Sequence, residues 1–248
     1  MTEAELAELI RDCPALYHMA ERGSWPSIRQ HGLLSTSALL DLYDVRGPRR
    51  EVIEGRRRPE GVTVEHPALR PAVVRDQKPM DDAGLRVCLL DGLTPEDWYR
   101  RLNARVFFWL TRERLLRLLN ARPYRELEHD VLELDTAALI AAHRPAIRLS
   151  PINSGTTKPF PSTASKRGRG TFLPIGEYPY ARWRAQGRKA GERVVELTVD
   201  YAVPDAARFV RRVVAMRGGA VTGVIEACAS AGTGETACST SNNTGREP

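Results

Sequence analysis

Apolar positions along this chain come in short bursts, some at helical spacing and some alternating or continuous as in strands. Leu6, Leu9 and Ile10 mark one helical face, opened by a capping box of Thr2 with Glu5 and closed by Pro14. Ala15 to Met19 reads as a short strand carrying Tyr17 and His18. Ser24 caps a second helix with Pro26 in its first turn and Gly32 at its stop, and Ser35 or Thr36 opens a third through Leu39, Leu40 and Tyr43. Leu85 to Leu90 is strand-like, Thr94-Pro95-Glu96 opens a helix to about Leu102, and Val106 to Leu110 is a buried strand. Thr111 then caps a helix whose Leu115, Leu116, Leu118 and Leu119 face the core. The pattern continues with a strand over Asp130 to Leu134, a helix over Thr136 to His143 and a strand over Ala146 to Leu149. Strands at Thr171 to Ile175, Arg193 to Tyr201 and Phe209 to Ala215 complete the series.

Three stretches interrupt it. Residues 45–80 are rich in Pro, Arg and Gly and predict a long insertion with little regular structure, and residues 150–170 a second polar loop. From about Ala227 the chain turns to Ala, Gly, Ser, Thr and Asn, too polar to order itself, which predicts a disordered tail over 227–248. Short helices mixed with short strands, without a repeat or a regular βαβ series, predict a single α+β domain over residues 1–226.

Composition alters this picture little. Of 248 residues, 42% are hydrophobic and 27% charged, as in globular proteins, and no apolar run could span a bilayer or form a signal core after Met1. The four cysteines, Cys13, Cys88, Cys228 and Cys238, form neither a CxxC nor a disulfide framework. The expectation is a cytoplasmic protein with no membrane partner. The net charge of +6 is modest, but its location is informative. It concentrates in Arg46 to Arg58 and in Lys166 to Lys189, both broken by Gly or Pro and so read as loops. Such loops are either solvated insertions or surfaces that neutralise phosphates. In the second, Arg167, Arg169, Arg182 and Trp183 are candidate nucleic-acid contacts, because aromatic faces among guanidinium groups can stack unpaired bases. Ordinary core packing of Tyr178, Tyr180 and Trp183 is the plainer alternative.

Much chemistry is excluded by what is missing. There is no GxGxxG, no GxxxxGK[ST], no GxSxG and no HExxH, nor any clustered Cys and His that would hold a metal. Among five histidines, His18 alone sits on an apolar strand just before a turn.

Leu16-Tyr17-His18-Met19, then Trp25-Pro26-Ser27-Ile28 and His31-Gly32-Leu33-Leu34-Ser35, resembles the start of the ADP-ribosyltransferase superfamily, and within it most resembles the DarT-type nucleic-acid ADP-ribosyltransferases. Val106 to Leu110 followed by Arg112 and Arg114 is similar to the family's second strand with its functional arginine. Val195 to Val199 with Pro204-Asp205 is similar to the strand that bears its glutamate. The resemblance implies two small, mostly antiparallel sheets flanked by short helices and enclosing a cleft for NAD⁺, used as co-substrate without a metal. It implies that Glu196 stabilises charge on the nicotinamide ribose and that His18 bonds the adenosine-side or nicotinamide-side ribose. Tyr17 or a neighbouring aromatic would pack on the nicotinamide, and Arg112 or Arg114 would meet the pyrophosphate. Asn153, in a loop without a counterpart in the family, either contacts ribose or base or simply makes an Asn-Ser-Gly turn. Glu133 and Glu192 are the alternative carboxylates.

The activity so implied is NAD⁺-dependent mono-ADP-ribosyl transfer, a glycosyltransferase reaction, to DNA or RNA, in a toxin or defence factor with a possible antitoxin partner. An NAD⁺-dependent RNA 2′-phosphotransferase and a protein ADP-ribosyltransferase are the enzyme alternatives. A non-catalytic nucleic-acid or nucleotide binder on the same fold is the third reading.

Overall fold

Local sequence chemistry sets the element boundaries in the computed structural model, which describes residues 1–157 and 164–227. α1 (Glu3–Asp12) begins at the expected capping box, with Thr2 Oγ1 accepting from Glu5 N at 3.2 Å and Glu5 Oε2 from Thr2 N at 2.9 Å. β1 (Ala15–Glu21), α2 (Trp25–His31), β2 (Leu33–Leu34) and α3 (Thr36–Leu42) follow in quick succession. Gly32, between α2 and β2, has φ +82°, and a Cβ there would lie 2.4 Å from the Val203 carbonyl oxygen, so the close approach requires glycine. α4 (Gly47–Gly55), the hairpin of β3 (Val62–His66) and β4 (Leu69–Val74), and α5 (Asp82–Cys88) come next. α6 (Pro95–Asn103) has its own capping box in Thr94 and Asp97, and β5 (Arg105–Trp109) leads into α7 (Arg112–Leu119), capped by Thr111. β6 (Glu128–Asp135), α8 (Thr136–His143), β7 (Ile147–Ser150) and β8 (Leu173–Pro174) continue the chain. α9 (Tyr180–Ala185), α10 (Ala190–Arg193), β9 (Glu196–Asp200), β10 (Ala202–Val203), β11 (Val210–Arg217) and β12 (Ala220–Ala227) complete it.

The result is a mixed α/β architecture around one large antiparallel sheet. Its eight strands run β12-β11-β6-β1-β5-β9-β7-β8, and β10-β2 and β3-β4 form two separate pairs. The large sheet replaces the two small sheets of the sequence reading, yet its centre is nearly divided. β1 and β6 are paired along seven residues, whereas β1 and β5 share a single register pair, Tyr17 opposite Trp109. Alternation sends Leu16, Phe108, Leu132 and Leu197 to one face, against Leu9 of α1 and Leu139 of α8. The other face carries Tyr17, Met19, Trp109 and Val131, on which α7 packs Leu115 and Leu119.

Several expected elements are corrected. Residues 45–80 are ordered, with a satellite core of Leu40, Tyr43, Ile53, Val64 and Val74 beneath α4 and the β3–β4 hairpin. Arginines obscured that core; several are paired within the segment, Arg50 with Asp41 at 2.5 Å and Glu54 at 3.1 Å, and the exposed Arg46 with Asp44 at 2.9 Å. Leu85 to Leu90 is not a strand; Asp81 Oδ1 caps α5 through Gly84 N at 2.6 Å, and a short apolar run fits either period. The expected strand from Arg193 shortens to β9, and that from Thr171 to the two residues of β8. β12 went unanticipated because Thr222, Gly223 and Glu226 break its apolar positions into no clean alternation, as befits an exposed edge strand. The tail beyond residue 227, with Cys228 and Cys238, lies outside the described residues, as does part of the 150–170 loop.

Candidate active site

The register of the sheet builds the centre of the site. Tyr17 lies opposite Trp109, Trp109 opposite Glu196, and Glu196 opposite Ser150, so a single cross-strand row places two aromatic rings and a carboxylate on the same face. Glu196 opens β9 and is only 3% exposed. Its Oε1 accepts from the backbone N–H of Ser154 at 3.0 Å, while among the described residues Oε2 is buried without a well-formed hydrogen bond, the Ser154 hydroxyl lying close enough to favour the charged carboxylate. Desolvation pushes the Glu196 carboxyl up to about 7, against the lowering influence of Ser154, Arg167 and Arg114. A buried polar atom with no partner is costly and marks a place where a ligand would complete the bonding.

The Ser154 loop is held from behind. Arg167, 1% exposed, donates through Nη1 to Ser154 O at 2.8 Å, through Nη2 to Thr156 O at 2.9 Å and through Nε to Ser165 O at 3.0 Å. Trp98 Nε1 also donates to Ser154 O, at 3.3 Å, and its ring lies 5.9 Å from the Arg167 guanidinium.

His18 sits where the sheet is divided. Its Nδ1 donates to the Phe107 carbonyl at 2.9 Å, so a side chain spans the gap that ladder hydrogen bonds would otherwise close. Burial, partly offset by that bond, pushes its pKa down to about 4, and Arg75 lowers it further. The imidazole is therefore neutral at pH 7, with Nε2 as its free acceptor.

These groups line a cleft of about 680 Å³, a size suited to a dinucleotide-sized ligand. Its walls include Phe107 and Trp109 and carry five arginines, Arg58, Arg75, Arg105, Arg114 and Arg117, against two carboxylates, Asp76 and Glu196. Arg105 pairs with Asp200 at 3.3 Å and Arg117 with Glu113 at 2.5 Å. Among the described residues Arg58, Arg75 and Arg114 have no carboxylate within ion-pair distance, and desolvation lowers the pKa of each, Arg58 to about 10. The cleft is thus a desolvated, positively charged pocket with one carboxylate at its floor.

The sequence candidates divide accordingly. Glu196, His18, Arg114 and Asn153 come together in the cleft. Asn153 Oδ1 also accepts from Gly155 N at 3.2 Å, the expected Asn-Ser-Gly turn. Arg112 is exposed at the first position of α7 and lies outside the cleft lining, so of the two arginines Arg114 is the one that lines the cleft. Tyr17 is also outside the lining; Trp109, one strand nearer Glu196, supplies the aromatic face. Glu133 lies on β6, opposite Tyr17, and Glu192 in α10, both outside the cleft lining.

The proposed nucleic-acid contacts scatter. Arg167 is corrected from a surface contact to a buried strut, because its guanidinium is occupied by three carbonyls. Arg169 is exposed, with its backbone N–H bonded to Asp91 Oδ2 at 2.7 Å. Arg182 and Trp183 lie on α9, outside the cleft, and Trp183 is half-buried with Arg188 4.0 Å from its ring centre. Ser154 and Arg75 were not singled out from the sequence, and neither sits in a motif that would have marked it; Arg58 was marked only as the end of the basic stretch Arg46 to Arg58. Among the described residues no group of three or more His, Cys, Asp and Glu is placed to hold a metal, and no helix is long and apolar enough to cross a membrane.

A family model described as "Family of unknown function (DUF7002)" matches residues 14–210, a span that contains every residue lining the cleft. No curated protein and no solved structure matches the chain.

Proposed function

The chain belongs to the DUF7002 family, and we propose that it is an NAD⁺-dependent mono-ADP-ribosyltransferase acting on a nucleic-acid acceptor. The observation that carries this reading is that a buried Glu196 with a raised pKa and a neutral His18 line one cleft with arginines that have no ion-pair partner. Cleavage of the bond between nicotinamide and ribose leaves positive charge on the sugar, and nicotinamide departs with the bonding electrons. A fixed carboxylate in a desolvated site stabilises that charge strongly. Glu196 Oε2, without a well-formed hydrogen bond of its own, is the atom free to do so. With a pKa near 7, the same group can take the proton of an attacking hydroxyl or amine.

The other side chains divide the binding work. Arg114 offers a planar fork to the pyrophosphate. His18 Nε2 accepts from a ribose hydroxyl, its tautomer set by the Phe107 carbonyl. Trp109 gives the nicotinamide a stacking face next to Glu196. A second reading, an NAD⁺-consuming RNA 2′-phosphotransferase, needs further basic side chains for the RNA phosphate, and Arg58 and Arg75 in the same cleft favour it.

The test is incubation with NAD⁺ labelled in its ADP-ribose half and a mixture of DNA, RNA and protein. Label is expected in a nucleic-acid fraction and absent with Glu196→Gln. Undiminished labelling by folded Glu196→Gln would sink the assignment, and mass spectrometry of the modified nucleotide separates the two readings.

A further inference from the structure

Of the arginines in the two basic stretches of the sequence, only Arg58 lines the cleft. Arg184 pairs with Glu8 at 2.9 Å, Arg193 also pairs with Glu8, and Arg46, Arg50 and Arg167 are used within the fold as described above. Arg75 and Arg58 differ. Arg75 follows β4, and its Nη1 donates to the Met19 carbonyl at 3.2 Å while its guanidinium lies 5.3 Å from the ring centre of Tyr124. The neighbouring carboxylate is engaged elsewhere: Asp76 Oδ1 accepts from Tyr124 Oη at 2.6 Å and from Lys78 N at 3.0 Å.

Arg58, 7% exposed, is linked to this group through Nε, which donates to the Arg75 carbonyl at 3.0 Å. Its remaining bonds run to the Ile53 carbonyl and, at 2.9 Å, to Asn103 Oδ1, all of them uncharged acceptors. Arg75 is therefore a desolvated guanidinium in the cleft wall, fixed by a carbonyl and a ring and without a carboxylate ion pair, and Arg58 braces its backbone from behind; Asp76 acts on both at longer range. Carbonyls satisfy N–H groups but leave net charge uncompensated, and an anion is what completes such a site.

The position along the cleft says which anion. Arg75 bonds Met19, two residues along β1 from Tyr17, and Glu196 is two strands across the sheet from Tyr17. Strand geometry puts the two ends of the cleft roughly 10 Å apart. Arg114 already serves the Glu196 end.

We propose that Arg75, braced by the buried Arg58, forms a second phosphate station in the cleft, which holds a backbone phosphate of the acceptor strand while the co-substrate occupies the end at Glu196 and Arg114. This rests on the ADP-ribosyltransferase reading, but binding at the station does not require turnover. The Met19 carbonyl and the Tyr124 ring hold the Arg75 guanidinium in place, so a strand entering the cleft meets it already positioned.

The experiment measures binding without chemistry. A fluorescein-labelled single-stranded DNA of mixed sequence and its RNA counterpart are titrated by anisotropy at several salt concentrations, and NAD⁺ by calorimetry. Arg75→Gln is expected to weaken oligonucleotide binding at least tenfold and to reduce the slope of log affinity against log salt by about 1, leaving NAD⁺ affinity within twofold. On the wild-type protein, oligonucleotide and not NAD⁺ should protect Arg75 from phenylglyoxal, as mapped by mass spectrometry, which covers the case of a variant that folds poorly. Loss of NAD⁺ affinity in Arg75→Gln would assign the station to the co-substrate and overturn the proposal. So would a larger loss of oligonucleotide binding in Arg182→Ala, or equal labelling of Arg75 with and without oligonucleotide. An intact station in a protein that never releases nicotinamide would refute the transferase reading alone.

Discussion

Glu196→Gln should make this protein more stable while it destroys the proposed activity, and the gain should depend on pH in a specific way. Burial raises the Glu196 carboxyl from its ordinary 4.5 to about 7, so the folded state binds a proton more tightly than the unfolded chain. A group of that kind is harmless below the unfolded pKa. Stability is then lost as pH rises from about 4.5 through about 7, and the full penalty of about 3 kcal/mol stands above that range. Glutamine keeps an oxygen for the Ser154 N–H at 3.0 Å and cannot ionise, so the penalty disappears. For a chain of this length the gain is a rise in Tm of roughly 6–12 °C at pH 8, and close to none at pH 4. Differential scanning fluorimetry of both proteins from pH 4 to pH 9 measures it. Transfer from labelled NAD⁺ should fall by roughly 10²–10³-fold or more, because the lost charge matters most in the transition state. Equal Tm differences at pH 4 and pH 8, or a Glu196→Gln protein less stable at pH 8, would refute the burial argument.

His18 has the opposite sign: its folded pKa of about 4 lies below the unfolded value of 6.5, so its contribution is complete above 6.5 and lost as pH falls toward 4. His18→Gln should therefore flatten the acid limb of the stability profile, read by urea denaturation at pH 4.5 and pH 7. Arg167→Lys removes the fork that serves the Ser154, Thr156 and Ser165 carbonyls and should cost about 2–4 kcal/mol. It should also raise the apparent pKa of Glu196, followed by ¹³C NMR of its carboxyl carbon, because Arg167 lowers that value in the native protein only from its present position. Trp109→Ala should raise the KM for NAD⁺ about tenfold with a smaller effect on the fold, while Trp109→Phe keeps most of the affinity; steady-state nicotinamide release checks both.

The parts legible in the sequence were those set by local chemistry. The capping boxes at Thr2 and Thr94, the proline and glycine around α2, and the apolar runs of β1, β5 and β6 lie close to where the pattern put them. Glu196, His18 and Arg114 were legible through a resemblance tied to short motifs, and the structure gathers them into one cleft. Arg112 and Arg114 could not be told apart by spacing, because both follow the same strand and only the turn into α7 decides which faces inward. Arg75 was invisible for a related reason, and Arg58 was read only as part of a basic loop. Their meaning comes from where the fold places them, in a cleft wall without an ion pair, and that is a property of tertiary packing. Arg167 misled in the opposite direction, since a basic segment with glycines looks solvated until its carbonyl partners are known.

The single pair that joins β1 to β5 has a consequence for how binding and folding share the same free energy. His18 belongs to the strands on one side of that join, Trp109 and Glu196 to those on the other. A molecule held by all three would cross-link the two halves of the sheet at the point where the backbone links them least. Its binding energy would then do the work of missing ladder hydrogen bonds, so the ligand becomes in effect a structural rung, and its release a local loosening of the protein's own centre.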